Sequence, residues 1–376
     1  MSKNKVVLTI FGLVVVTLAV VLSACAPAAV PTPTPTKPPP AAAVATPTPV
    51  PPKPTPAPPT PTPTPAPAKV RFASPGFVSD AGAFIAMEKG YFKEQAIEME
   101  LVTIKTAADA PPLLARGDIE VAGGSSSAGL YNAIARGIDL KIVADKGSSP
   151  KGFGFQGLVV RKDLVDQIKA PADLKGKKIA LSCSNCIMDY LLELILKPAN
   201  LSLKDVDTVD MAVPDMLAAF ANKSIEVAGM IEPNPTIAAD RGLGVFWIKS
   251  DVVDPDQQVA QIIMSDAFVK NVDVARRWVL AYVKGLRDYN DAFGKNKNRA
   301  EIVAILAKYS AVKEVALYDK MVMAGLHPDG KINTDSLLSQ QEFFIRRGGM
   351  KERVDLKKAI DTQFIDYALQ QLGPYR

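Results

Sequence analysis

The segment from Gly117 to Gly137 constrains the fold of this chain more than any other stretch. A short strand ends near Val121, a Gly-Gly-Ser-Ser-Ser turn follows, and a helix opens directly after it. Such a turn leaves backbone N–H groups unpaired, and the three serines add hydroxyls at the same place. In open α/β sheets these turns lie at the carboxyl ends of strands, where small polar molecules bind. Taken alone, the turn fits an ordinary capped helix better, but similar turns recur later and favour a binding site.

The N-terminus has the pattern of a secretory signal. Lys3 and Lys5 precede an apolar run from Val6 to Leu22, and the run ends in Leu-Ser-Ala-Cys. The last four residues resemble the lipobox of bacterial lipoproteins, which implies a signal peptide over residues 1–24 and a lipid on Cys25. The alternative is a retained membrane anchor, since about 17 apolar residues approach the minimum spanning length. Either outcome tethers the remaining chain to the outer face of a membrane.

Residues 25–68 predict a disordered linker, because they are almost wholly Pro, Thr, Ala and Val. Nineteen of the 31 prolines fall there, and such a composition favours extended polyproline II.

The net charge of +5 comes from the N-terminal part of the chain, where the lysines are Lys3, Lys5, Lys37, Lys53 and Lys69. Beyond them, basic residues balance the 39 acidic ones. The folded part is therefore predicted to be neutral, without a basic surface for nucleic acid.

From residue 69 onward, strands alternate with helices of about ten residues. This alternation predicts α/β units with a mostly parallel sheet. Further turns at strand ends are Ser182-Cys183-Ser184-Asn185-Cys186, which looks like the counterpart of the first serine turn, and Glu232-Pro233-Asn234-Pro235. A long helix from about Val272 to Phe293 carries an aromatic stripe that is typical of a core, and one more helix is predicted from Leu356 to Leu372.

The order of these segments resembles the substrate-binding lipoproteins of ABC importers. The resemblance rests on Gly90-Tyr91-Phe92, on Gly117-Asp118-Ile119-Glu120-Val121-Ala122, and on Asp173-Leu174-Lys175-Gly176. It continues through Ile231-Glu232-Pro233, Asp329-Gly330-Lys331-Ile332 and Gly349-Met350. The branch it looks like holds nitrate, sulfonate and taurine binders and the THI5-like proteins. Within that branch it looks most like the THI5-like subgroup, which includes pyrimidine-precursor binders and a riboflavin-binding protein.

The resemblance implies a type II periplasmic-binding-protein fold, with two α/β lobes joined by two crossovers around a cleft. Lobe 1 would comprise residues 69–157 plus 259–376, and lobe 2 residues 158–258. The final helices are expected to wrap lobe 1. The partners implied are a small-molecule ligand, an ABC permease and, through the lipid on Cys25, a membrane, with neither cofactor nor metal.

Ligand-binding residues are predicted at the turns that face the cleft. They are Phe77, Ser79, Ser125, Ser126, Ser127, Tyr131, Phe155, Ser182, Ser184, Asn185, Glu232 and Asn234. Lys105 is the only nearby cation that the sequence allows us to place. Hydroxyls, amides, one acid and aromatic faces suit a neutral heteroaromatic ligand, with riboflavin as the best match and a methylpyrimidine next. Sulfonate or nitrate is the alternative within the fold, and Glu232 equally fits a helix cap.

Other readings of the sequence remain open or are disfavoured. Cys183 and Cys186 fit a local disulfide or inert thiols better than a redox site, and zinc would need two further ligands. Gly-x-Gly-x-x-Gly at 152–157 precedes a strand instead of following one, which is the wrong context for a dinucleotide fingerprint. A THI5-type pyrimidine synthase would use a His and a Lys that residues 123–133 lack. A surface sensor on a stalk is the remaining other class.

Overall fold

A computed structural model describes residues 67–376 of the chain. The predicted signal peptide, the lipidated Cys25 and nearly all of the proline-rich linker lie outside the described residues. Among residues 67–376, no helix combines the length and the apolar character that crossing a membrane requires.

The strands are β1 Ala68–Ser74, β2 Ile97–Thr103, β3 Val121–Gly123, β4 Leu140–Ser149, β5 Gln156–Arg161, β6 Lys178–Leu181, β7 Asp207–Asp210, β8 Val227–Ile231, β9 Gly244–Lys249 and β10 Gln257–Ser265. The helices of the first half are α1 Ala81–Glu88, α2 Tyr91–Glu94, α3 Ala110–Arg116, α4 Ala128–Ala135, α5 Ile187–Leu196 and α6 Val213–Ala221. Those of the second half are α7 Asn234–Asp240, α8 Ser250–Val253, α9 Asp266–Lys270, α10 Val272–Gly294, α11 Arg299–Tyr309, α12 Thr334–Arg346, α13 Leu356–Ala359 and α14 Gln363–Leu372.

Two five-stranded sheets organise the fold, and the predicted α/β architecture is confirmed. The first sheet has the order β2-β1-β3-β10-β4, and the second has the order β7-β6-β8-β5-β9. In each sheet four strands run in one direction, and one strand, β10 in the first sheet and β5 in the second, runs antiparallel to both of its neighbours. The chain leaves the first sheet after Ser149, enters the second at Gln156, and returns through β10. Parallel strands with helical crossovers place their carboxyl-end turns along one edge of each sheet.

The long helix α10 forms the centre of the first core. Its aromatic stripe is buried as predicted, with Trp278, Tyr282 and Tyr289 at most 1% exposed. Trp278 stacks on Tyr282 and lies against Phe72 of β1, so the helix covers one face of the first sheet. Gly285 allows a close approach, since a Cβ there would lie 2.0 Å from the carbonyl oxygen of Gly82 in α1.

The C-terminal segment differs from the sequence prediction in two ways. The single helix expected from Leu356 to Leu372 is two helices, because the chain is extended at Ile360 and forms a bridge there to Ile142 of β4. The helix α12 does not pack on the first sheet alone. Its Phe343 meets Tyr190 of α5 at a ring distance of 5.6 Å, so it also contacts the elements of the second sheet.

Candidate functional site

A buried ion pair lies at the carboxyl edge of the first sheet. Lys146 of β4 and Asp80, which precedes α1, are 1% and 0% exposed, and their charged atoms are 3.2 Å apart. The Lys146 ammonium also donates to the Ser79 hydroxyl at 3.1 Å, and the second Asp80 oxygen accepts from Ser74 at 2.7 Å. The pair has room because of Gly123, where a Cβ would lie 2.3 Å from the Asp80 carboxylate.

Three predicted residues lie close to this pair, two from the turn after β1 and one from the segment before β5. The ring of Phe77 lies 5.5 Å from the Lys146 ammonium and is 38% exposed. A Cβ placed on Gly147 would lie 3.6 Å from Ser79 and 3.7 Å from the ring of Phe155. The structure therefore brings Phe77, Ser79 and Phe155 into one group, and only Phe77 presents its ring to solvent.

The neighbouring residue Asp145 is the centre of a second buried network. Its carboxylate accepts from the Gln258 side chain at 2.5 Å, from the His327 backbone at 2.7 Å and from the Gly147 backbone at 3.1 Å. Burial raises the pKa of Asp145 to about 6, and these three donors oppose the rise. The network joins β4, β10 and the segment around residue 327, so it fixes the geometry of the crossover strands.

The serine turn after β3 is held in place by hydrogen bonds to β10. The Ser126 hydroxyl accepts from the Gln261 side chain at 2.6 Å, and its backbone N–H donates to the Val259 carbonyl at 3.1 Å. Ser127 caps α4 by accepting from the Leu130 backbone, and Ser125 donates weakly to Val259 at 3.4 Å. The helix-cap expectation is thus correct for Ser127, whereas Ser126 faces the crossover strand.

The turn after β6 touches the serine turn through its backbone. Ala128 donates its N–H to the Asn185 carbonyl at 3.2 Å, and Ser127 forms an isolated bridge with Cys186. Cys183 and Cys186 are joined by a disulfide, which is one of the two states that the sequence favoured. Asn185 has a positive φ of 57°, a conformation that Asn tolerates better than most residues.

The remaining predicted residues of the second sheet are exposed or already occupied. Ser182 and Ser184 are exposed, and the Ser184 hydroxyl donates to Asp210. Asn234 donates to the carbonyl of Ile231 in its own turn. Glu232 accepts from the Thr236 backbone and hydroxyl at 3.2 and 3.0 Å. It also accepts from the backbone of residue 322 at 3.1 Å, and burial raises its pKa. The helix-cap alternative therefore describes Glu232.

Sequence reasoning missed the cation of the site. Lys105 is exposed, and the structure places Lys146 in the group instead. Lys146 lies in β4, within the run Ala144-Asp145-Lys146-Gly147. The available signal was the adjacent Asp-Lys pair that directly follows the apolar residues Ile142, Val143 and Ala144 of this strand, since buried charges are rare unless they are paired.

Neither of two surface grooves coincides with these residues. One, of about 580 Å³, lies between α1, β2 and Tyr309, and the other, of about 630 Å³, lies between α12 and α13. None of the predicted ligand residues lines either groove. No group of three or more His, Cys, Asp or Glu with metal-binding geometry occurs among residues 67–376. The candidate site is therefore defined by its buried polar side chains.

Comparison with known proteins identifies relatives of this chain. Residues 79–291, more than half of the sequence, match the profile of the family described as NMT1/THI5 like. A Haemophilus influenzae protein named for thiamine biosynthesis is 34% identical over 131 residues, which cover 35% of this chain and 39% of that protein. A Bacillus subtilis protein named for binding aliphatic sulfonates is 24% identical over 303 residues, covering 76% and 84%. The chain thus spans about two fifths of the length of the first of these relatives.

Solved structures show the same fold in proteins with different activities. The periplasmic nitrate-binding protein NrtA from Synechocystis has a TM-score of 0.66 at 16% identity, covering 82% of this chain and 89% of that one. The desulfurization enzyme DszB has a TM-score of 0.58 at 16% identity, covering 81% and 99%. Since one fold serves a binder and an enzyme, activity has to be argued from the site.

Proposed function

Since this chain belongs to the NMT1/THI5-like family, we propose that it is the substrate-binding component of an ABC importer. The observation that carries the proposal is that the strand-end turns of both sheets meet, through Ser127, Ala128, Asn185 and Cys186, beside buried polar groups of the first sheet. Lobe 1 is proposed to comprise residues 69–157 plus 259–376, and lobe 2 residues 158–258. A ligand that contacts both lobes stabilises the conformation in which they are closed, and a permease would recognise that conformation.

The ligand class that we favour is a neutral heteroaromatic molecule, with riboflavin as the named candidate and a thiamine pyrimidine precursor next. The charge of Lys146 is balanced by Asp80, so the pair carries no net charge toward a ligand. The half-exposed ring of Phe77 offers a face for stacking. Tyr131 and Phe155 are buried, and their predicted stacking role would require the lobes to move apart.

A sulfonate or nitrate is the second candidate, and Lys146 favours it. An anionic group that displaced Asp80 from the ammonium would gain a charge-assisted hydrogen bond, with a further donor at Ser79. The named specificity of the Bacillus subtilis relative points in the same direction.

We propose no catalytic role for the site. The ionisable groups described in it, Asp80, Lys146, Asp145 and Glu232, are all held by an ion pair or by hydrogen bonds to neighbours. None is within an arrangement of nucleophile and base of the kind that covalent catalysis needs. A role as a surface sensor would use the same capture of ligand without transport.

Thermal shifts of the full chain with riboflavin, hydroxymethylpyrimidine, taurine and nitrate test the ligand class. We expect stabilisation by riboflavin together with quenching of its fluorescence, and a response only to taurine or nitrate would assign the site to anions. Phe77→Ala should weaken riboflavin binding by about 1–3 kcal/mol if the ring stacks. Leu338→Ala is the matched control, because Leu338 is 37% exposed but lies on α12 at the remote groove. Lack of any response in the panel would refute capture of these ligands.

Lipid anchoring on Cys25 is a separate proposal that cell fractionation tests. The wild-type chain should remain with membranes and incorporate labelled palmitate, whereas Cys25→Ser should lose the label. Uptake of the bound ligand in cells, with and without the protein, distinguishes an importer component from a sensor. A Cys25→Ser variant that still incorporates palmitate would place the lipid elsewhere.

A further inference from the structure

Three buried side chains between the serine turn, α4 and β10 form a cluster with unsatisfied hydrogen-bonding capacity. They are Ser126, Tyr131 and Gln261, and each is completely buried. The Gln261 amide nitrogen donates to the Ser126 hydroxyl at 2.6 Å. The Tyr131 hydroxyl and the Gln261 amide oxygen have no hydrogen-bond partner among the described residues.

The position of this cluster points to the space between the two sheets. Tyr131 belongs to the same apolar cluster as Phe155, Val259 and Cys186, which come from the two crossovers and from the turn after β6. Its ring packs against Phe344 of α12 at 6.2 Å. The cluster therefore lies where elements of both sheets meet, directly behind the turn that contacts Asn185.

The hydrogen-bonding capacity of the cluster can be counted atom by atom. Ser126 accepts from one N–H of the Gln261 amide, and neither the Tyr131 hydroxyl nor the Gln261 amide oxygen has a partner among residues 67–376. What remains is one free O–H donor on Tyr131 and one free carbonyl acceptor on Gln261. Buried polar groups without partners are unfavourable, so a ligand that supplies both partners is selected over one that supplies a single partner.

We infer that this cluster makes the site require a ligand with a hydrogen-bond donor next to an acceptor, such as the N–H and C=O edge of a heteroaromatic amide or an amino group near an acceptor. The inference rests on the proposed function and adds the chemical class to it. A nitrate or a simple alkanesulfonate supplies acceptors only, so it can satisfy Tyr131 but leaves Gln261 unpaired. A site that hydrogen-bonds a ligand N–H strongly rejects the analogue that lacks this group.

Three matched pairs of probes test this requirement by calorimetry on the full chain. In each pair the first member carries the hydrogen-bond donor and the second lacks it. The first pair is riboflavin and 3-methylriboflavin. The second is the aminopyrimidine precursor and its isostere with methyl in place of amino, and the third is taurine and propanesulfonate. For whichever pair binds, we expect the donor-bearing member to bind at least about tenfold more tightly. In Gln261→Met that preference should fall below about threefold, while Tyr131→Phe should weaken both members and retain the preference.

The outcomes separate this inference from the proposed function. Equal affinities within a pair, binding of only the donor-free member, or an unchanged preference in Gln261→Met overturns the donor requirement alone. Binding of no probe overturns the donor requirement, and it overturns the proposed function as well if nitrate also fails to bind. Circular dichroism checks folding, and Gln261→Asn, which withdraws the amide by one methylene, replaces Gln261→Met if the latter does not fold. The same loss of preference is then expected.

Discussion

The two sheets share one strand order but differ in what their turns carry. By position, β1 corresponds to β6, β3 to β8 and β10 to β5. The turn at 75–80 therefore corresponds to 182–186, and the serine turn after β3 corresponds to the Glu232 turn after β8. Serine content alone had paired the serine turn with 182–186, and strand order corrects that pairing.

The first sheet holds its polar groups inside, and the second leaves them outside or occupied. Asp80, Lys146 and Ser126 are completely or almost completely buried. Ser182 and Ser184 at the corresponding edge are exposed, and Glu232 is occupied by a helix start and residue 322. Buried polar groups are stronger determinants of stability and specificity than exposed ones, because no water competes for their partners. We therefore expect the first sheet to dominate recognition and the second to serve mainly as the opposing wall.

The largest expected effect is on the buried ion pair of the first sheet. Lys146→Met leaves the Asp80 carboxylate buried without its cation, which should lower the free energy of unfolding by about 3–5 kcal/mol. Urea denaturation measures this change. The double variant Lys146→Met with Asp80→Asn should recover most of the loss, since no lone charge remains. A single variant as stable as wild type would show that the pair is not buried in solution.

The free energy of unfolding should depend on pH through Asp145, a buried carboxyl group of the first sheet. Its pKa in the folded state is about 6 against an ordinary value of 3.8, so its protonated form is favoured by folding. This contribution, about 3 kcal/mol, is complete below pH 4 and is lost as the pH rises through 6. The difference in unfolding free energy between wild type and Asp145→Asn should therefore change between pH 4 and 6.5. A constant difference over that range would exclude the buried titration.

A smaller loss of stability is expected when a methyl group is added at Gly123, which lies against the Asp80–Lys146 ion pair. A methyl group at Gly123 would lie 2.4 Å from the Lys146 side chain, so Gly123→Ala should destabilise the protein by about 1–3 kcal/mol. Gly129→Ala in α4 is the control. A Cβ there meets only the Ser127 hydroxyl at 3.6 Å, and alanine should stabilise the helix by about 1 kcal/mol or less. Equal effects of both substitutions would contradict the tight fit around Gly123.

The smallest expected effect belongs to the exposed serines of the second sheet. Ser184→Ala removes a hydroxyl that is bonded to Asp210 in water, so unfolding free energy and ligand affinity should change by about 0.5 kcal/mol or less. Ser126→Ala should weaken binding about tenfold or more, because it leaves the buried Gln261 amide without the acceptor that positions it beside Tyr131. Calorimetry on both variants compares their ligand affinities directly. A larger loss of affinity in Ser184→Ala than in Ser126→Ala would show that the second sheet, and not the first, dominates recognition.

Much of the fold was predictable from local patterns. The long helix predicted from about Val272 to Phe293 is α10, which spans Val272–Gly294 and buries its aromatic stripe. The break at Ile360 was not predictable, because the sequence there continues a helical pattern and only the bridge to β4 makes the chain extended. Tertiary contacts override helix propensity in such places.

The sequence by itself determined the alternation of strands and helices, the turns with hydroxyl groups and the neutrality of the folded part, because these depend on composition and short-range periodicity. The tertiary structure decided which polar residues act together. Lys146 meets Asp80 across 66 positions and Gln261 meets Ser126 across 135, and both pairs exist because β10 and β4 follow β3 in the strand order of the first sheet. Residues this far apart become neighbours through strand order, which no local pattern of side chains specifies.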